Sequence, residues 1–250
     1  MPLGPAQQYL AKYNGFVLPG YVQSEAFDSP MNIASHYAPY ADGSNSEYTG
    51  LQNKQITLTL RVWEQDFATC SDQIHTAATY LRSKRAGFAP LYVQHSDKYY
   101  NALVSSIKKE NTAGASVRIQ NYEVTFEAQP WLIAVSGHVL SGTGTIDTDQ
   151  VGRTLSNGGW TPTLITVTGN NVTISGYNSV GDFAGFVSIS GAVSNLIIDS
   201  DAFTATQSNV NMNSVMYTPD YRTYVGPGKT TFVTTGASSM TIQYNDRWNL

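Results

Sequence analysis

The stretch V-G-P-G-K-T-T-F, residues 225–232, holds the residues with the clearest capacity for chemistry. Gly-Lys-Thr ends the phosphate-binding pattern G-x-x-x-x-G-K-[ST], which requires a glycine where this chain has Thr223. A phosphate loop must also open a helix, because the free amides of the helix N-terminus hold the phosphate. Here Lys229 precedes β-branched and aromatic residues that favour a strand. The sequence therefore predicts a Pro-Gly turn into a late strand, and not a nucleotide site.

The histidines show neither metal-binding nor catalytic spacing. They are His36, His75, His95 and His138. His95, Ser96 and Asp97 together contain the residue types of a proton relay, but the serine is not in the G-x-S-x-G turn that exposes a nucleophile. We expect these histidines to be surface or hydrogen-bonded side chains.

The aspartates and the single cysteine could in principle bind a metal or act as a nucleophile. Asp147 with Asp149, and Asp199 with Asp201, have the D-x-D spacing of some oxygen-ligand sites, but no glycine and closing glutamate complete an ion loop. Aspartate also caps its own backbone in tight turns, which is the expected use. Cys70 is expected to fill the core. The sequence thus predicts no enzyme, no catalytic residue, no metal and no cofactor.

Aromatic residues in the second half leave sugar binding open. Trp160, Tyr177 and Tyr221 lie near predicted loops, where their rings could stack on a sugar. Tyr217 and Tyr224 lie nearby, beside asparagines and Asp220 that could bond hydroxyl groups. Structural packing is the competing interpretation.

Composition limits the classes of function. The 250 residues carry a formal net charge of −4, so no basic field is present to hold nucleic acid. One cysteine excludes an internal disulfide. The N-terminal residues lack the pattern of a secretory signal, and no apolar run is long enough to span a membrane. We therefore expect synthesis and assembly in a cytoplasm.

A change in charge separates two halves. Before residue 136 the chain has 10 Lys+Arg and 11 Asp+Glu, and after it 4 and 7. The stretch 134–152 contains four glycines and lacks regular patterning. The predicted domains are 1–136 and 137–250.

The first half is predicted to contain strands and one helix. Residues 55–63 alternate as a half-buried strand with Ile56, Leu58, Leu60 and Val62 on one face. A helical stripe of Ile74, Ala77, Ala78 and Leu81 predicts a helix over 69–86, stopped by Gly87. Further strands are predicted at 91–94, 99–107 and 116–128. Residues 28–53 have no period, which predicts a long functional loop.

The second half is predicted to be β throughout. Turn signals recur every eight to twelve residues, which is typical of an antiparallel sandwich of jelly-roll or lectin type. The predicted strands are 163–168, 172–175, 185–189, 196–199, 202–205, 230–233 and 239–244.

Several stretches, in order, resemble the distal tail protein (Dit) family of long-tailed, siphovirus-like bacteriophages. In the first half these are L-Q-N-K-Q-I-T-L-T-L-R-V-W, the helix, A-P-L-Y-V-Q and Q-N-Y-E-V-T-F-E-A-Q-P-W-L-I. In the second half they are G-G-W-T-P-T-L-I-T-V-T-G-N, G-F-V-S-I-S-G, L-I-I-D-S, the V-G-P-G-K-T-T-F corner and M-T-I-Q-Y-N-D-R-W-N-L. The resemblance implies a mainly β chain, with an N-terminal β-sandwich or split-barrel ring domain containing one α-helix and a galectin-like (jelly-roll) antiparallel β-sandwich.

The resemblance also implies a structural protein at the tail tip of a virion. It implies a homo-hexameric adaptor ring that joins the tail-tube protein to the hub protein and the adhesion apparatus of receptor-binding proteins or fibres. DNA would pass through the lumen without specific binding, and no membrane insertion is implied. Within residues 28–53 the tyrosines Tyr37, Tyr40 and Tyr48 are candidates for the subunit interface. Two alternatives stay open: a carbohydrate-binding host-adhesion module and a tail-tube-like ring protein.

Overall fold

A computed structural model describes most of the chain. The described residues are 9–28, 31–37, 44–84, 87–94, 96–110, 118–148, 160–216, 222–226 and 228–249, with the backbone alone described in 31–37 and 44–51. They form two compact units, residues 1–132 and 133–250. The predicted boundary lies four residues further along the chain. The mainly β architecture with one helix is confirmed, and every ladder whose register is defined is antiparallel.

Unit 1 contains nine strands, the last of which continues into unit 2, and helix α1. The elements are β1 (Lys12–Tyr13), β2 (Phe16–Val17), β3 (Tyr21–Asp28), β4 (Met31–Tyr37), β5 (Ser44–Leu51), β6 (Lys54–Trp63), α1 (Phe67–Ser83), β7 (Ala89–Tyr92), β8 (Lys98–Lys109) and β9 (Ile119–Gly142). The main sheet has the order β2-β1-β7-β8-β9-β6-β3. The Val22 N–H of β3 donates to the carbonyl of Tyr9, in the segment before β1, over 3.1 Å, so the two ends of the sheet approach each other. The sheet therefore curls into a barrel with one short seam.

The alternating pattern of β6 fills this barrel. Ile56, Leu58, Leu60 and Val62 are all almost completely buried, as the alternation predicts. They pack in one apolar cluster with Phe126 and other β9 residues. Tyr122 also lies there, and its hydroxyl donates to the Pro19 carbonyl over 2.8 Å. The Tyr122 phenol thus keeps a hydrogen bond while its ring adds to the core.

Helix α1 packs its apolar stripe against the same cluster. Cys70, Ile74, Ala77 and Leu81 are its buried residues. The helix starts two residues earlier than predicted, because the Asp66 carboxylate accepts the Thr69 N–H over 2.8 Å as an N-cap. These hydrogen bonds from Thr69 also hold the pKa of Asp66 below its ordinary value.

The prediction of a loop over residues 28–53 is wrong, because this segment contains two strands. Strands β4 and β5 pair with each other from Met31–Leu51 to Tyr37–Ser44, and form a separate two-stranded sheet. The neighbouring β3–β6 ladder ends at Asp28–Gln55, so the hairpin follows directly on that ladder. Its residues are mostly polar and lack strict alternation, and this is why the sequence pattern missed it.

Unit 2 contains the end of β9 and nine further strands. They are β10 (Thr145–Asp147), β11 (Thr161–Pro162), β12 (Leu164–Asn178), β13 (Phe183–Ser188), β14 (Ala192–Asp199), β15 (Thr204–Gln207), β16 (Val210–Asn211), β17 (Tyr224–Val225) and β18 (Thr230–Asn249). The end of β9 and β10 are strands within 134–152, where the sequence lacks a pattern. The predicted strand pairs 163–168 with 172–175, and 230–233 with 239–244, are in fact the single strands β12 and β18. This is a second correction.

Two bulges explain why the predicted turns do not break these strands. The β12–β18 ladder skips residues 170–172 opposite Gly236, and then resumes at Thr173–Thr235. Gly236 has a φ of +75°, which favours glycine, and a Cβ on Gly169 would lie 2.3 Å from the Gly236 carbonyl oxygen. Glycine at both positions therefore lets two long strands bend together.

Because of this bend, β12 and β18 each belong to two layers of unit 2. One layer has the order β13-β12-β18-β10, and the other contains β16-β15-β14-β12-β18-β9. Ile165 and Val167 on one side of the bulge and Val172 and Ile174 on the other join one buried cluster. Unit 2 is therefore an antiparallel sandwich.

Lys54 is a buried cation in unit 1. Its side chain is 2% exposed, and Nζ lies 5.2 Å from the centroid of the Tyr100 ring. Burial lowers the pKa of Lys54, since the interior disfavours the ammonium. Burial also raises the pKa of Tyr100 to about 12, with a contribution from the Glu25 charge.

We expect the Lys54→Met variant to have a higher free energy of unfolding than the native chain at neutral pH. The folded-state pKa is lowered, so between it and the unfolded value near 10.4 the unfolded chain binds more protons, and the native chain gains stability as pH rises. The advantage of the variant should therefore shrink as the pH rises from neutral toward the unfolded value near 10.4. Urea unfolding at several pH values measures it.

Lys109 provides the matched control, because its Nζ lies 5.0 Å from the Phe67 ring centroid while the residue is exposed. Lys109→Met is expected to give no comparable pH-dependent difference. A Lys54→Met difference that is constant with pH would contradict the prediction.

Candidate interaction surfaces

The V-G-P-G-K-T-T-F stretch forms a corner, as predicted. Strand β18 begins at Thr230, directly after Lys229, so no helix follows the Gly-Lys-Thr sequence. The Gly226 N–H donates to the Thr230 hydroxyl over 2.9 Å. A Cβ on Gly226 would lie 2.8 Å from the Trp160 ring, so the glycine allows close packing of that ring. The Gly226 amide of this corner is therefore used in a hydrogen bond within the protein.

The lysine of the corner forms an ion pair. Lys229 Nζ lies 2.6 Å from Asp147 Oδ2, and the Thr231 hydroxyl donates to Asp147 Oδ1 over 2.6 Å. The hydrogen bond from Lys229, with that from Thr231, lowers the pKa of Asp147. The lysine that would face a phosphate in a nucleotide site is bound to this carboxylate instead.

Among the histidines, one makes a buried polar contact. His138 Nε2 lies 2.9 Å from Asp246 Oδ2, and its ring stacks on Tyr244 with centroids 4.7 Å apart. This is the hydrogen-bonded role that the sequence predicted. His75 is exposed on α1 and His36 belongs to β4. His95 lies outside the described residues, so the structure does not test the relay with Ser96 and Asp97.

The remaining candidate ligands serve the fold. Asp199 Oδ1 accepts the N–H groups of Asp201 and Ala202, each over 2.9 Å, which is the predicted turn cap. Asp149 lies outside the described residues. Cys70 is completely buried, as predicted for core filler. No group of three or more metal-binding side chains lies together in the described part of the chain.

Hydroxyl groups are also used internally. Thr163, Ser200 and Thr223 are buried and form one cluster. The Thr163 and Thr223 hydroxyls lie 2.5 Å apart, and the Thr223 N–H donates to Ser200 Oγ over 3.0 Å. The cluster joins the connection after β14 to the segments around β11 and β17, so these hydroxyls stabilise unit 2 and face no ligand.

The candidate sugar-stacking residues are not on one surface in the described structure. Trp160 is half-buried against Gly226 and lies on the side of β12 where the buried Asn178 points. Tyr177 is exposed on the opposite face of the same strand. Tyr221 lies outside the described residues, as do Tyr217 and Asp220. Sugar binding by this trio stays a prediction.

Tyr177 has a different aromatic neighbour, Phe183. The two residues are opposite each other in the β12–β13 ladder, and their ring centroids lie 5.8 Å apart in an edge-to-face arrangement. Sequence reasoning missed Phe183 because the predicted strand began at residue 185. The sequence could have indicated this strand, because Phe183 and Phe186 are both aromatic residues on its outward face. The bulge next to Gly185 puts them three residues apart, which disguises the two-residue period of a strand.

The candidate interface tyrosines are in and beside the β4–β5 hairpin. Tyr37 ends β4 and Tyr48 lies within β5, opposite Ile33. Tyr40 lies outside the described residues. Exposed apolar side chains also mark the barrel of unit 1. Trp63 at the end of β6 is 71% exposed, and Phe67 at the start of α1 is also exposed.

No helix among the described residues is both apolar enough and long enough to cross a membrane.

The corner predicts a contrast between two substitutions. Thr230→Val removes the acceptor of the buried Gly226 N–H, which should lower the free energy of unfolding of unit 2 by about 1–3 kcal/mol. Lys229→Met removes an exposed ion pair and should change it much less. Urea unfolding followed by circular dichroism, fitted with one transition for each unit, measures both. Equal losses would contradict the corner as described.

Comparisons with known proteins place this fold. No protein-family model and no curated protein matches the sequence. The crystal structure of the SPP1 Dit (gp 19.1) protein, described as a paradigm of the hub adsorption apparatus in phages that infect Gram-positive bacteria, is similar with a TM-score of 0.73. The identity is 12%, over 95% of this chain and 98% of that chain.

Two structures of the phage P2 baseplate in its activated conformation are similar at a lower level. The one with Ca has a TM-score of 0.46 and 10% identity, over 96% of this chain and 91% of that chain. The one with Sr has a TM-score of 0.48 and 8% identity, over 95% and 97%. These two scores are too low to support an argument. On the SPP1 match, which spans both units, this chain has the fold of a phage distal tail protein, as the sequence resemblance predicted.

Proposed function

We propose that this chain is a structural protein of a phage tail tip and forms a homo-hexameric ring. The observation that carries the proposal is the SPP1 Dit match, which extends over 95% of this chain and 98% of that one. Unit 1 would form the ring, and unit 2 would project from it. The ring would join the tail-tube protein to the hub protein and the receptor-binding proteins or fibres.

The β4–β5 hairpin supports a role in assembly. Among the described residues its strands pair only with each other. An isolated two-stranded hairpin is only marginally stable in water, because it buries little apolar surface. A second copy of the chain that packs on the hairpin would supply the missing burial, so we place the subunit interface there. The edges of its two strands are also available for further pairing.

The charge of the chain is compatible with a DNA conduit. The net charge is −4, and a lumen without a strong basic field would not grip phosphates through counterion release. DNA would then pass through the ring without specific binding. The chain would act in the virion after assembly in the host cytoplasm, and it would perform no catalysis.

The mass of the purified chain tests the ring. We expect a species of about six times the 27.2 kDa chain mass by light scattering after gel filtration, and six-fold rings in negative stain. A tail-tube-like protein, the alternative of the same class, would extend into stacked tubes. A monomer at all concentrations, even with tail-tube protein added, would contradict the proposal.

The hairpin predicts a separable effect on assembly. Asn-Gly in place of residues 30–53 would close the β3–β6 ladder with a two-residue turn, since Asp28 already lies opposite Gln55. We expect this variant to fold with unchanged circular dichroism per strand residue, and to form no rings.

A second variant with Asn-Gly in place of residues 38–43 keeps β4 and β5 paired, because Tyr37 lies opposite Ser44. It is the matched control, and it is expected to retain rings. Rings from the 30–53 replacement would show that the hairpin is not the interface.

A further inference from the structure

The outward face of the β13-β12-β18-β10 layer carries exposed aromatic rings beside hydroxyl groups. Tyr177 and Phe183 lie opposite each other on this face and are 47% and 59% exposed. Their ring planes meet at 66° with centroids 5.8 Å apart, so the two rings contact each other edge to face at the surface. Large apolar side chains grouped at a surface usually mark a binding site.

The same row continues with polar groups across the next two strands. Tyr177 lies opposite Thr231, and Thr231 lies opposite Asp147. The chemistry of the row therefore changes from aromatic to hydrogen-bonding within four adjacent strands, which span about 14 Å at the usual strand spacing. That length matches two or three linked pyranose rings.

The next row repeats the arrangement. Phe186 lies opposite Ser175, and Ser175 lies opposite the exposed Val233. Val233 in turn lies opposite Thr145. The face thus has aromatic rings at the β13 edge and hydroxyl groups distributed over the other three strands.

The turn that fixes the aromatic pair is rigidly bonded. Asn178 Oδ1 accepts the N–H groups of Val180 and Asp182 over 3.1 and 2.7 Å, and its Nδ2 donates to Asp182 Oδ2 over 2.9 Å. Asn178 is buried between Tyr177 and this turn. The backbone turn that joins the two ring-bearing residues is therefore fixed before any ligand arrives, which lowers the entropy cost of binding.

The charged side chains on this face favour a neutral ligand. On this face Asp147 is paired with Lys229, and the described residues of the two rows carry no other charge. The nearby Asp182 carboxylate accepts a hydrogen bond from the Asn178 amide over 2.9 Å, and Lys229 is paired with Asp147, so the described part of this face offers an anionic ligand no unpaired cation. A neutral sugar presents C–H faces that pack on the negative faces of aromatic rings, and hydroxyls that exchange hydrogen bonds with threonine, serine and carboxylate groups. A protein interface would instead have its aromatic groups at the centre and a polar rim.

We propose that unit 2 binds a neutral saccharide of two or three sugar rings across this face. Tyr177 and Phe183 provide the stacking surface, and Thr231 and Asp147 bind hydroxyl groups. The site is distinct from the interface proposed for unit 1, and it replaces the trio considered from sequence by a pair that the fold brings together.

Binding of maltotriose, cellotriose, mannotriose and chitotriose to the full chain tests the proposal, by saturation-transfer NMR and calorimetry. We expect at least one probe to bind, and Tyr177→Ala and Phe183→Ala to raise its Kd by about tenfold or more, equivalent to 1.4 kcal/mol. Tyr177→Phe keeps the ring and should raise the Kd less. Phe88→Ala, which removes an exposed ring from unit 1, should leave the Kd unchanged.

Absence of binding by every probe at millimolar concentration would overturn the proposal. Equal affinity of the native chain and Tyr177→Ala would overturn it too. If Tyr177→Ala abolished association with a protein while no sugar bound, the face would be a protein interface and the proposal would fail. The mass of each sample reports whether rings have formed, and sugar binding is measured independently of the mass. Failure of the sugar site can therefore be distinguished from failure of the proposed ring.

Discussion

One long antiparallel ladder determines the architecture of each unit. In unit 1 the β6–β9 ladder runs from Lys54–Ala128 to Trp63–Ile119, and in unit 2 the β12–β18 ladder runs from Leu164–Gln243 to Asn178–Thr230. A ladder fixes which side chains share a face, because a slip of one residue would turn every buried side chain outward. Apart from the separate pairs β4–β5 and β11–β17, the remaining strands extend the sheet on either side of these two ladders.

The chemistry-bearing residues largely serve this framework. Asp66 caps the helix, Asp199 caps a turn and Lys229 pairs with Asp147. Buried hydroxyls such as Thr163 bond to backbone and to one another. In the described part of the chain, these side chains therefore act within the fold.

The predictable parts of the structure were those with a strong local period. Strand β6 and the stripe of α1 are correct in type and close in position, because alternation and helical spacing record burial directly. The strands within residues 28–53 were missed, since this mostly polar stretch has no apolar alternation to indicate a strand. The breaks expected between the predicted strands 163–168 and 172–175, and between 230–233 and 239–244, are bulges. Gly169 and Gly236 pack against each other there, in a ladder between segments that are far apart in sequence. The pairing of Tyr177 with Phe183 depends on a bulge at Gly176 for the same reason.

The shared strands of unit 2 have a consequence for how it unfolds. Since β12 and β18 each pass through both layers, neither layer can open without removing the central strands of the other. Sub-global opening, which lets many sandwiches expose one sheet at a time, would cost nearly the whole free energy of the unit. Such all-or-none behaviour leaves few partly open states for proteases to attack.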